Sequence, residues 1–173
     1  GSGWAYGVGS RVGFVMDGQT ILSPDRGDIK WTMLPIETVG QIEVLKGASS
    51  VLYGSSAMNG TIHLQSVVPT KKPQTRFTGF LSFYGPPKRK ETKWWETPQP
   101  STGYTFMRAH KPTNHFEYTV GGNIYIQNQQ YEDGLEYLAR INYRTKWISK
   151  KNEKLSGGLA GSFSYNRETE FFY

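Results

Sequence analysis

The sequence has no cysteine among its 173 residues. That removes any disulfide framework, zinc ribbon or thiol chemistry. It has no apolar run near 20 residues, so no transmembrane helix is expected. It has no basic-then-apolar leader, and its opening Gly1-Ser-Gly-Trp-Ala-Tyr-Gly7 reads as the middle of a longer chain. The hydrophobic fraction of 36% is below the usual ~45–50%. His63, His110 and His115 are scattered, none at helical spacing from a carboxylate, so no metal site is expected. There is no Gly-x-Ser-x-Gly, P-loop or GxGxxG pattern. No enzyme and no cofactor are expected.

What is present is aromatic, glycine-rich and basic. Five Trp, eleven Tyr, nine Phe and twenty Gly accompany a net charge of +6. A basic balance admits nucleic acid or an anionic surface as partner. The densest basic runs, Lys88-Arg89-Lys90 and Lys150-Lys151, lie on no helical face, and no RNA-binding sheet signature accompanies them. They read as solvated loops, with no nucleic acid expected.

The chain changes character near Pro69. Before it, Arg11–Asp17 reads as an apolar strand ending at the Asp17-Gly18 turn pair. Residues 19–30 read as a loop, and 35–39 as a short element with Pro35 at its first helical position. Residues 41–46 alternate as a half-buried strand. Residues 48–53 read as one or two helical turns, and Asn59-Gly60 as a tight turn into a strand over 61–67. Met16, Leu45, Leu52 and Ile62 are the expected core.

After Pro69, long alternating patterns follow one another over 75–84, 102–111, 116–127, 135–147 and 155–166. On the fourth, Leu135, Tyr137, Ala139, Ile141, Tyr143, Thr145 and Trp147 alternate with a row holding Arg140, Arg144 and Lys146. The connectors run long, short, medium, short, as in an outer-membrane barrel with long outer loops and short periplasmic turns. Ten residues tilted at ~40° span about 25 Å, the height of the outer apolar band. Phe77, Phe83, Tyr104, Phe106, Tyr137, Trp147 and Tyr165 would form interfacial girdles. A soluble carbohydrate-binding β-domain using Trp94, Trp95 and Tyr104 is the competing reading. Its strands are usually five or six residues, too short for these patterns. Five strands cannot close a barrel, since the smallest have about eight, so a longer polypeptide is expected.

Three blocks carry a family resemblance. Phe14-Val-Met-Asp-Gly18 resembles the strand end of a TonB-dependent receptor plug. Leu34-Pro-Ile-Glu-Thr-Val-Gly-Gln-Ile-Glu-Val-Leu-Lys-Gly47 and Ala48-Ser-Ser-Val-Leu-Tyr-Gly-Ser-Ser-Ala-Met-Asn-Gly-Thr-Ile62 resemble the two blocks that follow it in that family. Order and spacing agree. Lys46 and Asn59 are minor departures. The resemblance implies an α+β plug remnant over 1–68, a linker over 69–74, and over 75–173 the first five antiparallel transmembrane β-barrel strands of a plugged barrel of about 22 strands.

The resemblance also implies a role. Such receptors sit in the outer membrane of Gram-negative bacteria, in contact with its lipid. They take up a scarce extracellular nutrient (iron–siderophore, haem, cobalamin or similar), energised by the TonB complex through an N-terminal segment outside this sequence. A receptor-like barrel acting as a scaffold in an outer-membrane assembly is the alternative. In the family, plug loops flanking the Asp-Gly strand face outward. Here they offer Trp4 and Tyr6, then Ser23, Asp25, Arg26, Asp28 and Trp31, aromatic area with oriented polar groups for a bulky ligand. Glu37 and Glu43 are candidate partners for Arg140 and Arg144, as a releasable plug–barrel fastener worth ~0–1 kcal/mol per pair. Trp94-Trp95-Glu96 in the long loop is a candidate contact for a surface lipoprotein.

Overall fold

The computed structural model describes residues 12–21, 34–47, 59–93, 95–96, 100–128, 134–152 and 154–168. Two compact units, Gly1–Val68 and Pro69–Tyr173, make up the chain. Each is described by itself.

In the first unit, β1 (Val12–Met16) turns through Asp17-Gly18 into β2 (Gln19–Thr20). Both turn residues have positive φ, 49° and 82°. That is the mirror-image two-residue turn whose twist matches a hairpin, and Asp-Gly is its preferred pair. The segment expected to be a loop from residue 19 therefore begins as a strand, pairing Val15 with Thr20 and Met16 with Gln19. β3 (Val39–Lys46) and β4 (Gly60–Ser66) complete a four-stranded sheet in the order β2-β1-β4-β3. β1 runs parallel to β4, and β3 antiparallel to it. Gly60 has φ 140°, and a Cβ there would lie 2.5 Å from the Leu45 carbonyl oxygen, so only glycine fits the start of β4.

Asp17 does more than turn the chain. Its Oδ1 accepts the Ser66 backbone N–H at 2.9 Å and its Oδ2 accepts the Ser66 hydroxyl at 2.6 Å. Its own N–H donates to the Leu64 carbonyl at 3.0 Å. One side chain thus fastens the hairpin to the end of β4.

Ahead of β3, Ile36–Thr38 form a single 3-10 turn, with Pro35 just before it rather than inside. Thr38 donates both N–H and hydroxyl to the Pro35 carbonyl, each at 2.9 Å. Phe14, Val15, Leu34, Leu64 and Val67 are buried. The expected core differs: Met16 and Ile62 are half-buried, Leu45 is 43% exposed, and Leu52 and the helical turns over 48–53 lie outside the described residues. β3, expected to be half-buried, exposes Ile42, Val44 and Leu45 within the chain. Alternation marks a face that suits apolar contact; it does not say what covers that face.

The second unit is one antiparallel meander, β5 (Gln74–Phe83), β6 (Pro100–Thr113), β7 (Phe116–Asn128), β8 (Leu135–Ile148) and β9 (Ser156–Glu168), each strand bonded to the next. The 14 residues of β8 run to about 45 Å at ~3.4 Å per residue. Pro112 sits where the β6–β7 register shifts between His110 and Thr113, a bulge that tolerates its missing donor. Lys111 and Glu117 approach to 3.7 Å across that short turn. The Ser149–Leu155 turn closes through Ser149 N–H to the Leu155 carbonyl at 2.8 Å.

The carboxylate of Asp17 makes a direct prediction. Asp17→Ala removes two hydrogen bonds to a charged group, worth about 1–3 kcal/mol together. Hydrogen exchange on the full-length protein is expected to show the Ser66 amide losing protection, with the amides of β6–β8 unchanged.

Candidate functional site

The meander has two chemically opposite faces, fixed by the period of two along each strand. Register aligns the rows of the first face across three strands. Asn123 pairs with Arg140 and Arg140 with Ser164; Gly121 with Asn142 and Asn142 with Ser162; Thr119 with Arg144 and Arg144 with Ala160. On this face Ser101, Met107, Thr119, Leu138, Arg140 and Asn142 are buried. Arg76, Arg140, Arg144 and Lys146 stand on it against Glu117 and Glu136. Tyr125 donates its hydroxyl to Glu136 Oε1 across β7 and β8. The Asn123 side-chain oxygen is buried without a hydrogen-bond donor, on the residue directly opposite Arg140. The wall is polar and basic.

The second face carries Phe77, Leu81, Tyr104, Phe106, Ile124, Ile141, Leu159 and Phe163, all exposed, Phe163 to 71%. A soluble protein buries such residues and exposes Arg140, which here is 6% exposed. The inversion is the pattern of a barrel wall with an apolar outer face and a polar inner one. Aromatic rings fill the places where cross-strand partners lack side chains. A Cβ on Gly157 would lie 2.8 Å from the Trp147 ring, and one on Gly161 2.9 Å from Tyr143, so glycine and aromatic are paired across β8 and β9.

The expected girdles change in place. Phe77 and Tyr104 stack at 6.1 Å in the body of the sheet rather than at its rim, and Phe106 faces Phe77 in register. The turn end is instead lined by His110, Tyr118 and Phe116, with His110–Tyr118 edge-on at 6.0 Å, and by Trp147 opposite Phe116. At the other end Tyr137 and Tyr165 meet at 5.9 Å. Periodicity assigned these rings to the correct face; rim position depends on strand offset, which alternation does not carry.

Of the candidate site residues, Trp4, Tyr6, Ser23, Asp25, Arg26, Asp28 and Trp31 lie outside the described residues. Glu37 is buried in the 3-10 turn. Glu43 is exposed on β3, where its Oε1 accepts the side-chain amides of Gln41 at 2.7 Å and Gln65 at 3.4 Å. Arg140 and Arg144 share one face of β8, the first buried and the second exposed. Trp94 is also outside the described residues. Trp95 meets Tyr84 at 6.0 Å, while Tyr104 stacks on Phe77. Two residues that sequence reasoning passed over are Ser66, the anchor of Asp17, and Arg108, a cation in the apolar row of β6.

Residues 2–61 match the family model of the TonB-dependent Receptor Plug Domain. The vitamin B12 transporter BtuB of Vibrio vulnificus is 29% identical over 177 aligned positions, covering 89% of this chain and 28% of that protein. The siderophore receptor PirA of Acinetobacter baumannii superposes with a TM-score of 0.65 at 18% identity, covering 92% of this chain and 24% of that one. A mutant of the ferric enterobactin receptor PfeA of Pseudomonas aeruginosa, solved with enterobactin, gives 0.63 at 17%, covering 92% and 26%. Residues 2–61 are thus similar to the plug of TonB-dependent receptors, and the fold of the chain, a plug segment followed by antiparallel strands, is similar to that of such receptors. It spans about a quarter of the length of the relatives it matches.

The opposed faces predict opposite tolerances. Ile141→Lys places a charge in the middle of the apolar face and is expected to cost about 2–4 kcal/mol of stability in lipid vesicles. Ser162→Lys, on the polar face, is expected to cost well under 1 kcal/mol. Urea titration of the full receptor in vesicles measures both. A soluble sheet would show no penalty at Ile141.

Proposed function

We propose that this chain supplies plug and barrel wall to a receptor in the outer membrane of a Gram-negative bacterium, where TonB energises uptake of a scarce nutrient of the iron–siderophore or cobalamin class. The supporting observation is the inverted polarity of the meander: apolar residues outward and a basic, hydrogen-bonding wall on the other face, carried by strands of 10 to 14 residues. In this reading residues 1–68 are plug, 69–74 linker and 75–173 the first five barrel strands. Pairing continues on both edges of the meander, because lipid tolerates no open strand edge.

The basic wall suits a nutrient complex with negative charge. Arg140 and Arg144 stand four residues apart on one face, about 13 Å along β8 with Asn142 between them, so a bulky anionic complex spans both. The plug loops holding Trp4, Tyr6, Ser23, Asp25, Arg26, Asp28 and Trp31 supply the aromatic and polar contacts from the other side of the ligand. Glu37 and Glu43 hold the plug through Arg140 and Arg144 while the receptor is idle.

Uptake by cells carrying the full receptor tests the reading. Labelled ferric siderophore or cobalamin is expected to accumulate only while TonB is present, and Arg140→Gln with Arg144→Gln is expected to weaken binding of an anionic ligand about tenfold. Uptake that persists without TonB, or a receptor that accumulates neither ligand class, overturns it. A double-mutant cycle on Glu43 and Arg140 is expected to show a coupling of up to about 1 kcal/mol; strict additivity removes the fastener.

A further inference from the structure

Arg108 breaks the pattern of the apolar face. It lies on β6 between Phe106 and His110, in register with Val120 and Thr75. It is exposed. Its Nε donates to the Tyr118 hydroxyl at 3.3 Å and a terminal guanidinium nitrogen to the Thr75 hydroxyl at 3.4 Å. Both partners are neutral, and among the described residues no carboxylate neutralises the charge. Tyr118 pairs with His110, one step nearer the short turn, so the guanidinium reaches toward the turn end, where His110, Phe116, Tyr118 and Trp147 form an aromatic rim.

Beside it is an apolar groove of about 520 Å³, within the ~300–1,000 Å³ typical of small-ligand sites. Gly122 lies at its floor. Phe77, Tyr104, Phe106, Ile124 and Phe163 wall it. The missing side chain at Gly122 opens the space between Phe106 on β6 and Ile141 on β8, its two register partners.

We infer that this outward groove holds one anionic glycerophospholipid, with its phosphate on Arg108, Tyr118 and Thr75 and an acyl chain along the groove over Gly122. The inference rests on the membrane reading above. Charge complementarity selects the occupant: a lone cation at an aromatic rim fits an anionic headgroup, and an apolar trough two residues away fits a hydrocarbon chain. The turn end selects the source. Short turns of such barrels face the periplasm, where the leaflet is glycerophospholipid, so lipid A of the outer leaflet is not the occupant.

The test uses the full receptor in vesicles of one phosphatidylglycerol to four phosphatidylcholine, with benzoylphenylalanine in place of Phe77 to capture lipid at the groove by light. The same probe in place of Leu159, on the same face of β9 and outside the lining of the groove, is the reference. Adducts at position 77 are expected to be enriched in phosphatidylglycerol about fivefold over the bulk ratio, and adducts at 159 to follow the bulk. Arg108→Gln is expected to return position 77 to the bulk ratio, Arg108→Lys to keep most of the enrichment, and Arg167→Gln, an outward charge at the other end of the sheet, to change nothing. Ala139→Phe, which fills the groove, lowers the total adduct at 77 without moving its ratio. Bulk ratio at 77 in the unaltered receptor, or enrichment that survives Arg108→Gln, overturns the site. Lipid A dominating the adducts at 77 in native outer membranes does so too. Absence of lipid adducts at both positions overturns the membrane reading itself.

Discussion

Every backbone amide in a bilayer must be paired inside the protein, since lipid offers no partner and each unpaired group costs several kcal/mol. On the membrane reading proposed above, the second unit is organised by that demand. Its five strands pair in sequence order, and β7 and β8 bond along their full described lengths, Phe116 with Trp147 through to Asn128 with Leu135. Proline is confined to places where a lost donor matters least, at the first residue of β6 and at the bulge holding Pro112. With the ladder complete, side chains are free to follow their solvents. That is why Ile141 is 55% exposed while Asn142, the next residue, is 7% exposed.

The plug sheet obeys a different constraint. Its strands pack on a conventional core, and that core is small: Phe14, Val15, Leu34, Leu64 and Val67 among the described residues. A unit with few buried apolar groups depends more on specific polar ties. The Asp17 carboxylate provides such a tie, joining positions 49 residues apart in sequence. The parallel pairing of β1 with β4 leaves no short hairpin to hold those strands together, so the side-chain link supplies what the connection cannot.

Much of this was legible in the chain. The five long strands follow from alternation alone, because a sheet between two uniform media writes a strict period of two into the sequence. Positions 116–127 and 135–147 fall inside β7 and β8 with at most one residue added at an end. The Asp17-Gly18 turn was legible because only that turn type asks for the pair. Ser66 as the anchor of Asp17 was not, because nothing local connects residues so far apart. The exposure of Leu45 was not, because an apolar position does not name its cover. The loop residues from Trp4 to Trp31 were picked out by composition and by resemblance, neither of which fixes where a side chain reaches.

Arg108 was legible in principle. Tyr104, Phe106, Arg108 and His110 form one row, and a lone cation in an apolar row is an anomaly wherever lipid is the solvent. Magnitude decides how it survives. An arginine at the bilayer midplane costs about 2–4 kcal/mol, falling to ~0–1 near the interface. One register step separates Arg108 from the Tyr118 level, and the long side chain covers that step, so its charge stands at the rim while its stem stays with the apolar face. At the rim the charge no longer needs a carboxylate from the protein. It needs only the hydroxyls of Tyr118 and Thr75 to aim it, and these take two of the five guanidinium N–H donors. A phosphate oxygen accepts from such donors more strongly than a neutral hydroxyl does. The same row that breaks the alternation therefore gives the apolar face a polar address, beside the one glycine on β7 whose missing side chain leaves room for a chain of methylenes.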